Sequence, residues 1–420
     1  MAAIGTDGLR ERIQDGIEDL SKLTDDAFVG WGRVVFSEPY RVARDWVRRR
    51  MVEAGLETRI DASGNIVGRL QGEGAAKPIV TGSHTDTVVG GGRFDGVVGV
   101  LAAIEVARLV RESGQRLHHD LLVVDFLGEE ANEFGVSCIG SRSVAGLLAA
   151  DQLERRDLAG RRLGDVMESF GLDVGGSLSS AWGRGSLHAF VELHVEQGPL
   201  LERQHKSIGV VTAIAGIERL TAVFAGRADH AGTMPMTERL DALTAAAEAI
   251  VTIEREGCGA PVHAVTTTGR IESTPGSFNV IPERAQIWAE LRSIESSWLT
   301  GARRRLAEQL AADAAARGVG VDLEWLSDQD PVPTDQSIQG AIGRAADMHG
   351  LAWTAVPSGA GHDAAHMAHM GPMGMIFVPS AGGRSHCPQE WTELADIASG
   401  VEVLLSTITD LDATSTVARV

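Results

Sequence analysis

The sequence is 420 residues long and 44% hydrophobic, which is enough chain to build two domains with substantial cores. Its formal net charge of -19 argues against a nucleic-acid-binding surface, since such a surface needs clustered lysine and arginine. No apolar stretch reaches membrane-spanning length, so we expect no membrane partner. Three scattered cysteines do not suggest a disulfide framework, and the N-terminus lacks the basic and apolar segments of a secretory signal. We therefore expect a cytoplasmic protein.

The first half of the chain alternates predicted helices and strands. Helical spacing covers the opening residues to Leu23, residues 42–54 and residues 96–110, and the predicted strands are 57–60, 65–70, 78–85 and 120–127. This alternation is typical of a parallel or mixed sheet covered on both faces. Ligands of such sheets gather at the carboxyl ends of the strands.

A second pattern follows residue 198. Strands are predicted at 208–213, 218–224, 262–270 and 285–291, and helices at 236–256 and 298–316. Two helices on a four-stranded sheet make a small α+β domain. The polar segment 328–333 is predicted to be a return linker, after which strands at 353–356 and 373–378 and a helix at 392–408 resume the α/β pattern. We predict a discontinuous α/β catalytic domain with a mixed sheet flanked by helices, residues 1–212 and 330–420, and an inserted α+β domain, residues 213–329.

The glycine-rich stretch 82–96 carries the first candidate metal ligands. His84 lies in the predicted strand 78–85, and Asp86 points to the same face because side chains alternate along a strand. Asp86 can therefore orient the imidazole of His84 from behind, as carboxylates do for metal-bound histidines. Asp95 follows three glycines that allow a sharp turn, at the mouth of the next helix. The stretch predicts half of a metal site.

Two adjacent carboxylates, Glu129 and Glu130, follow the apolar run 121–127. A buried charge needs a partner or a metal, so one of them can bind metal while the other accepts a proton. Imidazole and carboxylate ligands without a thiol favour zinc, with manganese, cobalt or nickel as substitutes. A bridging Asp95 would hold two ions about 3.5–4 Å apart. The full candidate set is His84, Asp95, Glu129, Glu130, His194 and His386.

Seven short motifs occur in one order along the chain, at 82–96, 129–142, 194–199, 229–232, 279–282, 358–363 and 385–386. In these motifs the sequence resembles the hydantoinase/carbamoylase family of amidases, over about residues 33–408. This family belongs to the dinuclear-zinc superfamily of aminoacylases and carboxypeptidase-like peptidases.

The resemblance implies two divalent metal ions per subunit, one held by His84, Asp95 and His194 and the other by Asp95, Glu130 and His386. It makes Glu129 the general base, Asp86 the residue that orients His84, and His230 the group that polarises the scissile carbonyl. The implied substrate-binding residues are Gln197, Asn279, Arg292, Gly361 and His362.

The activity implied by the resemblance is metal-dependent hydrolysis of a linear amide C–N bond in a small substrate that carries a carboxylate. We expect N-carbamoyl-L-amino acids as substrates, and a homodimer formed through the inserted domain, which also closes the site as a lid. Allantoate amidohydrolase is the nearest alternative, and an aminoacylase or dipeptidase is a further one. A non-enzyme alternative is a binding protein that kept this fold but lost hydrolysis. The retention of Glu129 beside a complete ligand set argues against that alternative.

Overall fold

The computed structural model describes residues 8–25, 27–74 and 76–417. The strands are β1 (Glu57–Ile60), β2 (Ile66–Leu70), β3 (Ile79–His84), β4 (Leu121–Phe126), β5 (Ala189–Val195), β6 (Ile208–Ile214), β7 (Gly216–Ala225), β8 (Val265–Thr274), β9 (Arg284–Ser293), β10 (Gly320–Gln329), β11 (Val332–Pro333), β12 (Trp353–Ser358) and β13 (Met373–Val378).

The α-helices are α1 (Leu9–Ser21), α2 (Glu38–Glu53), α3 (Val97–Glu112), α4 (Ile139–Val144), α5 (Ala150–Leu153), α6 (Leu163–Ser169), α7 (Val174–Ser179), α8 (Leu200–Arg203), α9 (Ala242–Cys258), α10 (Ser296–Ala316), α11 (Gln336–Met348), α12 (Asp363–Met367) and α13 (Leu394–Val417). The helix predicted for the opening residues corresponds to α1, and its predicted beginning within residues 1–7 lies outside the described part of the chain. No helix within the described ranges is both long enough and apolar enough to cross a bilayer.

The chain forms two units, Met1–Thr212 with Thr334–Val356 and His362–Val420, and Ala213–Pro333 with Pro357–Gly361. The second unit therefore takes in two short segments, 330–333 and 357–361, from the region that we predicted to lie wholly in the catalytic domain. Helices and strands alternate in the first unit, whereas two long helices accompany an antiparallel sheet in the second.

The sheet of the first unit runs in the order β1-β2-β4-β3-β5-β13-β6, with β12 also paired to β6. Its four central strands, β4, β3, β5 and β13, are parallel neighbours, whereas β1, β2 and β6 join antiparallel. Every residue of β3, β5 and β13 is buried, as expected for parallel strands covered on both faces. The predicted mixed sheet is confirmed.

The core of the first unit lies between this sheet and its helices. Helix α3 packs on β3, β4 and β5 with one side, and on α1 and α13 with another. It is therefore apolar around most of its circumference, with buried residues at nearly every position from Val97 to Val110. The first turn of α3 follows the glycine-rich stretch 82–96 directly. Because α3 is packed into the core, its position determines the position of the end of that stretch.

Gly82 explains how β3 can pass so close to β4. A Cβ atom at this position would lie 2.0 Å from the carbonyl oxygen of Val124 on β4, well inside van der Waals contact. Only glycine allows this register, in which Gly82 pairs with Val124 and His84 pairs with Phe126. The register in turn places the end of β3 beside the residues that follow β4.

The sheet of the second unit is antiparallel, in the order β10-β7-β9-β8, and α9 and α10 pack on one face of it. The predicted four-stranded sheet with two helices is confirmed, but its membership differs from the prediction. The segment 208–213 belongs to β6, which pairs with β13 in the first unit, and the fourth strand here is β10.

We did not predict β10 as a strand, although Val321-Asp322-Leu323-Glu324-Trp325 alternates apolar and acidic residues. Such alternation is the pattern of a strand with one buried face, and Val321, Leu323 and Trp325 do pack against the core of this unit. The predicted helix 236–256 also begins later, at Ala242, where the side chain of Asp241 accepts a hydrogen bond from the Thr244 amide.

Candidate metal centre

The candidate ligands of the first unit lie at the carboxyl ends of its four parallel strands. His84 is the last residue of β3, and His194 is the penultimate residue of β5. Glu130 follows β4, and His386 follows β13. Because parallel neighbours end at the same edge of a sheet, residues separated by about 300 positions in sequence are brought together there.

Asp95 is the residue around which the others are arranged. Its Oδ1 lies 3.1 Å from Nε2 of His194 and 3.8 Å from Nε2 of His84, and its Oδ2 lies 3.1 Å from Nε2 of His386. Glu130 Oε1 is 3.4 Å from the same His386 nitrogen. Each oxygen of Asp95 therefore faces a different set of candidate ligands, and both sets have their ligand atoms within 4.8 Å of one another.

The hydrogen bonds of the two buried imidazoles show which nitrogen is available to a cation. Nδ1 of His84 donates to the carbonyl oxygen of Asp86 at 3.0 Å, and Nδ1 of His194 donates to that of Val195 at 2.9 Å, since a carbonyl can only accept. In a neutral ring Nε2 then carries a lone pair. Nε2 of His194 is buried without a hydrogen bond to any described residue, yet it faces a carboxylate oxygen. A divalent cation between these atoms fits this donor set.

The charges at this edge depend on one another. Burial lowers the pKa of His84 to about 4, which favours the neutral ring that a metal ligand requires. Burial also opposes the charge of His194, but Asp95 outweighs it and raises the pKa of His194 to about 9. The hydrogen bond to Asp95 raises the pKa of His386 to about 9 as well. Asp95 thus favours a positive charge at both imidazoles, and this charge is a proton in the absence of a cation and the cation itself when one is bound.

The carboxylate of Asp86 contacts the backbone that carries the two glutamates. Its Oδ1 accepts the Glu129 amide at 3.1 Å and its Oδ2 accepts the Glu130 amide at 3.0 Å. The ring of His84 bonds to the backbone oxygen of Asp86, and its Nδ1 lies 3.6 Å from Asp86 Oδ1, too far for a good hydrogen bond. Asp86 therefore orients His84 through its peptide group and the glutamate pair through its side chain.

Replacing Asp86 by asparagine is expected to destabilise the protein by about 1–3 kcal/mol, because the amide NH₂ would face a backbone N–H and leave it unsatisfied. We also expect kcat to fall, since the glutamate pair would shift. Thermal unfolding and steady-state kinetics measure the two effects. Asp125→Asn is the matched control: this carboxylate is equally buried but accepts from Thr85 Oγ1, so its loss should lower stability alone. An unchanged kcat in Asp86→Asn would contradict the assignment.

Glu129 is buried beside the ligands without belonging to either set centred on Asp95. Its Oε2 lies 3.6 Å from Nε2 of His84, and its Oε1 lies 3.6 Å from Sγ of Cys138. Burial and the charge of Glu130 raise the pKa of Glu129 well above that of a free glutamate. Burial and Asp95 likewise raise the pKa of Glu130, to about 8. The raised pKa values favour the binding of a proton or a cation by both carboxylates.

Two contributions to this site were not predicted. The first is Cys138, whose backbone amide donates a hydrogen bond to the carbonyl oxygen of Glu129 at 2.9 Å. The backbone of Cys138 is left-handed, with φ of 53°. Gly96, also left-handed, leaves room for the imidazole of His84, since a Cβ there would lie 2.4 Å from the ring. A left-handed non-glycine residue has no signature in the sequence, whereas a glycine at the end of a glycine-rich turn does.

Gln197 and His362 also lie in the first unit, next to the same ligands. Nε2 of Gln197 donates to Asp95 Oδ2 at 2.7 Å, and its Oε1 is buried without a partner among the described residues. The ring of His362 stacks edge-on against that of His194, with centroids 4.6 Å apart. Together with Glu192 these two histidines form a third group of clustered ligand atoms.

The remaining predicted residues lie in the second unit. His230 is exposed, and it pairs in a single β-bridge with Val280, next to Asn279. The amide of Ala231 donates to the Asn279 carbonyl oxygen at 3.0 Å, so these two segments adjoin. Arg292 on β9 bonds Glu290 at 2.8 Å and the carbonyl oxygen of Gly359 at 3.1 Å. Gly361 ends the segment that contains Gly359.

Comparison with known proteins gives this arrangement a context. Residues 80–410 match the model of Peptidase family M20/M25/M40. An N-carbamoyl-L-amino acid amidohydrolase of Geobacillus stearothermophilus is 38% identical over 402 residues, covering 96% of this chain and 98% of that relative. An allantoate amidohydrolase of Escherichia coli (strain K12) is 34% identical over 400 residues, covering 94% and 96%.

A solved structure of an amidase of the hydantoinase/carbamoylase family from Burkholderia multivorans is also similar. It has a TM-score of 0.85 and 33% identity, and the likeness covers 96% of this chain and 97% of that one. The match to the family model spans most of the chain and includes every candidate ligand around Asp95. This chain therefore belongs to Peptidase family M20/M25/M40, and its likeness to hydantoinase/carbamoylase amidases extends over nearly its full length.

Proposed function

We propose that this protein hydrolyses N-carbamoyl-L-amino acids to the free amino acid, carbon dioxide and ammonia, consuming one water. The observation that carries the proposal is the placement of Glu129 beside His84, together with Asp95, whose two oxygens face two separate sets of ligands. The 38% identity to an N-carbamoyl-L-amino acid amidohydrolase supports the choice of substrate.

Two divalent ions, zinc by preference with manganese, cobalt or nickel as substitutes, would be held by the two sets around Asp95. His84, His194 and Asp95 would hold one, and Glu130, His386 and Asp95 the other. When bound, such ions supply Lewis acidity that activates water and polarises a carbonyl. The mixture of imidazole and carboxylate donors without a thiol supports this choice of metals.

Glu129 would act as the general base. Its raised pKa favours the transfer of a proton from the attacking water to its carboxylate, and it would return this proton to the leaving nitrogen. Cys138 and the Asp86-bound backbone hold its carboxylate in place for both transfers. Gln197, whose side-chain carbonyl oxygen has no hydrogen-bond partner among the described residues, would accept a hydrogen bond from the ureido NH₂.

Residues of the second unit would bind the remainder of the substrate. We assign His230 to the scissile carbonyl, Asn279 and Arg292 to the substrate carboxylate, and Gly361 and, in the first unit, His362 to substrate binding. A guanidinium suits a carboxylate because its planar fork donates two parallel hydrogen bonds. The ion pair of Arg292 with Glu290 engages Nε, and Nη1 bonds a backbone carbonyl oxygen, which leaves Nη2 for a ligand.

Replacing Arg292 by lysine is expected to raise KM for the carbamoyl substrate about 10- to 100-fold, with a smaller change in kcat, since a hydrogen bond between charged groups contributes about 1.5–3 kcal/mol. Steady-state kinetics measure this split. Arg284→Lys is the matched control, because Arg284 lies on the same strand and bonds only Gln286 among the described contacts of its side chain. Equal KM values in the two variants would remove Arg292 from the substrate site.

Allantoate is the second candidate substrate, favoured by the 34% identity to an allantoate amidohydrolase. Both substrates contain a ureido group and a carboxylate, so the same metal ligands and the same general base could hydrolyse either of them. An aminoacylase or dipeptidase activity would use the same chemistry on an acyl or peptidyl bond. A binding protein without turnover would have no use for an unliganded base at Glu129.

A substrate panel tests the proposal. Zinc-loaded and manganese-loaded protein is incubated with N-carbamoyl-L- and D-amino acids, allantoate, ureidoglycolate, N-formyl and N-acetyl amino acids and a dipeptide, and release of ammonia and of amino groups is measured. Preference for the N-carbamoyl-L-amino acid by kcat/KM supports the proposal. Preference for allantoate selects the second candidate, and cleavage of the acetyl or peptidyl compounds alone overturns both.

We also propose that the protein is a cytoplasmic homodimer that pairs through the second unit. Support comes from β8, an edge strand of the sheet that exposes Val265 and Ile271, since an open apolar edge is a surface on which a second strand can pair. The three cysteines are free, as a reducing compartment would leave them. Light scattering coupled to size-exclusion chromatography tests the dimer, and Ile271→Lys should yield a monomer.

A further inference from the structure

Glu390 is a buried carboxylate that nothing in the sequence pattern singled out. It lies between His386 and the start of α13, and only 2% of its surface is exposed. Nearly three hundred residues separate it in sequence from the glycine-rich stretch. In the fold, its side chain lies against the loop that carries Asp95.

One oxygen of Glu390 holds the backbone of that loop. Its Oε1 accepts the amide of Phe94 at 2.7 Å and the amide of Asp95 at 3.1 Å. These two N–H groups precede α3 and have no place in its hydrogen-bond ladder, so the carboxylate caps them from outside the helix. The peptide from which the Asp95 side chain projects is thereby fixed.

The other oxygen of Glu390 holds the second loop. Its Oε2 lies 2.6 Å from Oγ of Ser385, the residue before His386. The same hydroxyl lies 2.8 Å from Asp95 Oδ2. A hydroxyl has one proton, so Ser385 donates to one carboxylate at a time. Glu390 therefore connects the loop of Asp95 to the loop of His386 through one side chain and one hydroxyl.

The loop of Asp95 is shaped to admit this carboxylate. A Cβ atom on Gly92 would lie 2.2 Å from Oε1 of Glu390 and 2.5 Å from its Cβ. Any larger residue at position 92 would push the glutamate away from the two amides that it caps. The space beside Gly92 thus supports the same contact independently of the hydrogen bonds.

We propose that Glu390 is a positioning residue that holds Asp95 and His386 at a fixed separation and so sets the affinity of the site for its metal ions. This inference rests on the metal centre of the proposed function. Glu390 itself does not act on the substrate, because its oxygens are occupied by the Phe94 and Asp95 amides and by the Ser385 hydroxyl.

The surrounding packing allows this role to be separated from a merely structural one. The ring of Phe94 packs edge-on against Trp391 with centroids 5.3 Å apart, and the Arg93 guanidinium lies 5.1 Å from the same Trp391 ring. These contacts hold the two loops together without Glu390. We therefore expect Glu390→Ala to fold and to change the ligand geometry rather than the presence of the loops.

The test measures metal affinity directly. Wild type, Glu390→Ala and Glu390→Gln are stripped of metal, and zinc binding is measured in competition with a chromophoric chelator, with the visible spectrum of the cobalt-loaded forms recorded in parallel. We expect Glu390→Ala to bind zinc about 10- to 100-fold more weakly and to show an altered cobalt spectrum. Glu390→Gln should stay within a few-fold of wild type, since its amide oxygen can accept both N–H groups and its NH₂ can donate to Ser385.

Two further variants sharpen the result. Gly92→Ala disturbs the contact between Glu390 and the Asp95 loop from the side of that loop, so it should reproduce the loss of zinc affinity. It replaces Glu390→Ala in the test if that variant fails to fold. Glu105→Ala is the matched control: this glutamate is as buried and pairs with Arg12 and Arg108, but it lies about 15 Å along α3 from Asp95. It should lose thermal stability while keeping zinc affinity.

The inference is overturned if Glu390→Ala and Gly92→Ala bind zinc as wild type does, or if Glu105→Ala weakens zinc binding equally. It is also overturned if Glu390→Gln is as impaired as Glu390→Ala, since the hydrogen bonds would then not be what matters. Wild type that binds no divalent metal would instead refute the metal centre itself, and this inference with it.

Discussion

Replacing Glu129 by glutamine is expected to lower kcat about 10²- to 10⁴-fold while the metal content stays that of wild type. Glutamine keeps the shape of the side chain and its contact with Cys138, but it cannot take a proton from water. Its amide also removes a buried negative charge beside Glu130, so the variant should be at least as stable as wild type. Steady-state kinetics, elemental analysis and thermal unfolding measure the three quantities.

Replacing the neighbouring Glu130 by glutamine is expected to have a different effect from Glu129→Gln. Glu130 lies 3.4 Å from the His386 imidazole and belongs to one of the two candidate ligand sets, so Glu130→Gln is expected to lose metal as well as activity. Both glutamates are buried and adjacent, and they share the backbone contact with Asp86. Retained activity in Glu129→Gln, or metal loss in that variant, would show that the two roles are exchanged or shared.

Asp95→Asn should have the larger effect on metal binding. Asparagine offers one oxygen in place of two, so it cannot face the His84 and His194 pair and His386 together. We expect the metal content to fall by at least one ion per chain and kcat/KM to fall at least about 10³-fold, since a bound ion contributes several kcal/mol of charge stabilisation. Elemental analysis of dialysed protein and kinetics measure both changes.

Metal removal separates this effect from a folding defect. Wild type treated with a chelator should lose its activity and regain it on addition of zinc or manganese, whereas Asp95→Asn should not be rescued at metal concentrations that saturate wild type. The control is Asp125→Asn: Asp125 is a buried carboxylate on β4, paired with Ser83 of β3, and this variant should retain its metal. Full rescue of Asp95→Asn would show that Asp95 does not bridge the two ligand sets.

Much of the fold could be predicted because its signals are local. The continuous apolar runs that became β3, β4 and β13 are buried parallel strands, and the glycine-rich turn after β3 leads into α3. Side-chain periodicity depends only on neighbours in sequence, so such runs can be recognised without knowing the fold. The strand assignment missed β5, which carries His194, and β10, where acidic residues within an alternating pattern obscured a half-buried strand.

The candidate ligands could be predicted from residue type and order, and the family resemblance implied their two sets around Asp95, but the individual atomic contacts could not be predicted. Two facts came only from the tertiary structure: the two oxygens of Asp95 face different histidines, and the carboxylate of Asp86 binds the Glu129 and Glu130 amides. Both depend on the register between strands and on loop conformations, including the left-handed backbones of Cys138 and His386. Strands buried at every residue have no alternation of apolar and polar side chains to fix their register, and left-handed residues other than glycine have no signature in the sequence.

The sequence by itself determined which residue types are present for metal chemistry, their order, and the alternation that places them after strands. The tertiary structure alone decided which atoms face each other, and Glu390 is the clearest case. Its three partners lie on two loops separated by 290 residues, and no local pattern distinguishes it from the other acidic residues near α13. Hydrogen-bond partners so distant in sequence are set by packing of the whole unit, because only the folded sheet brings the ends of its parallel strands to one edge.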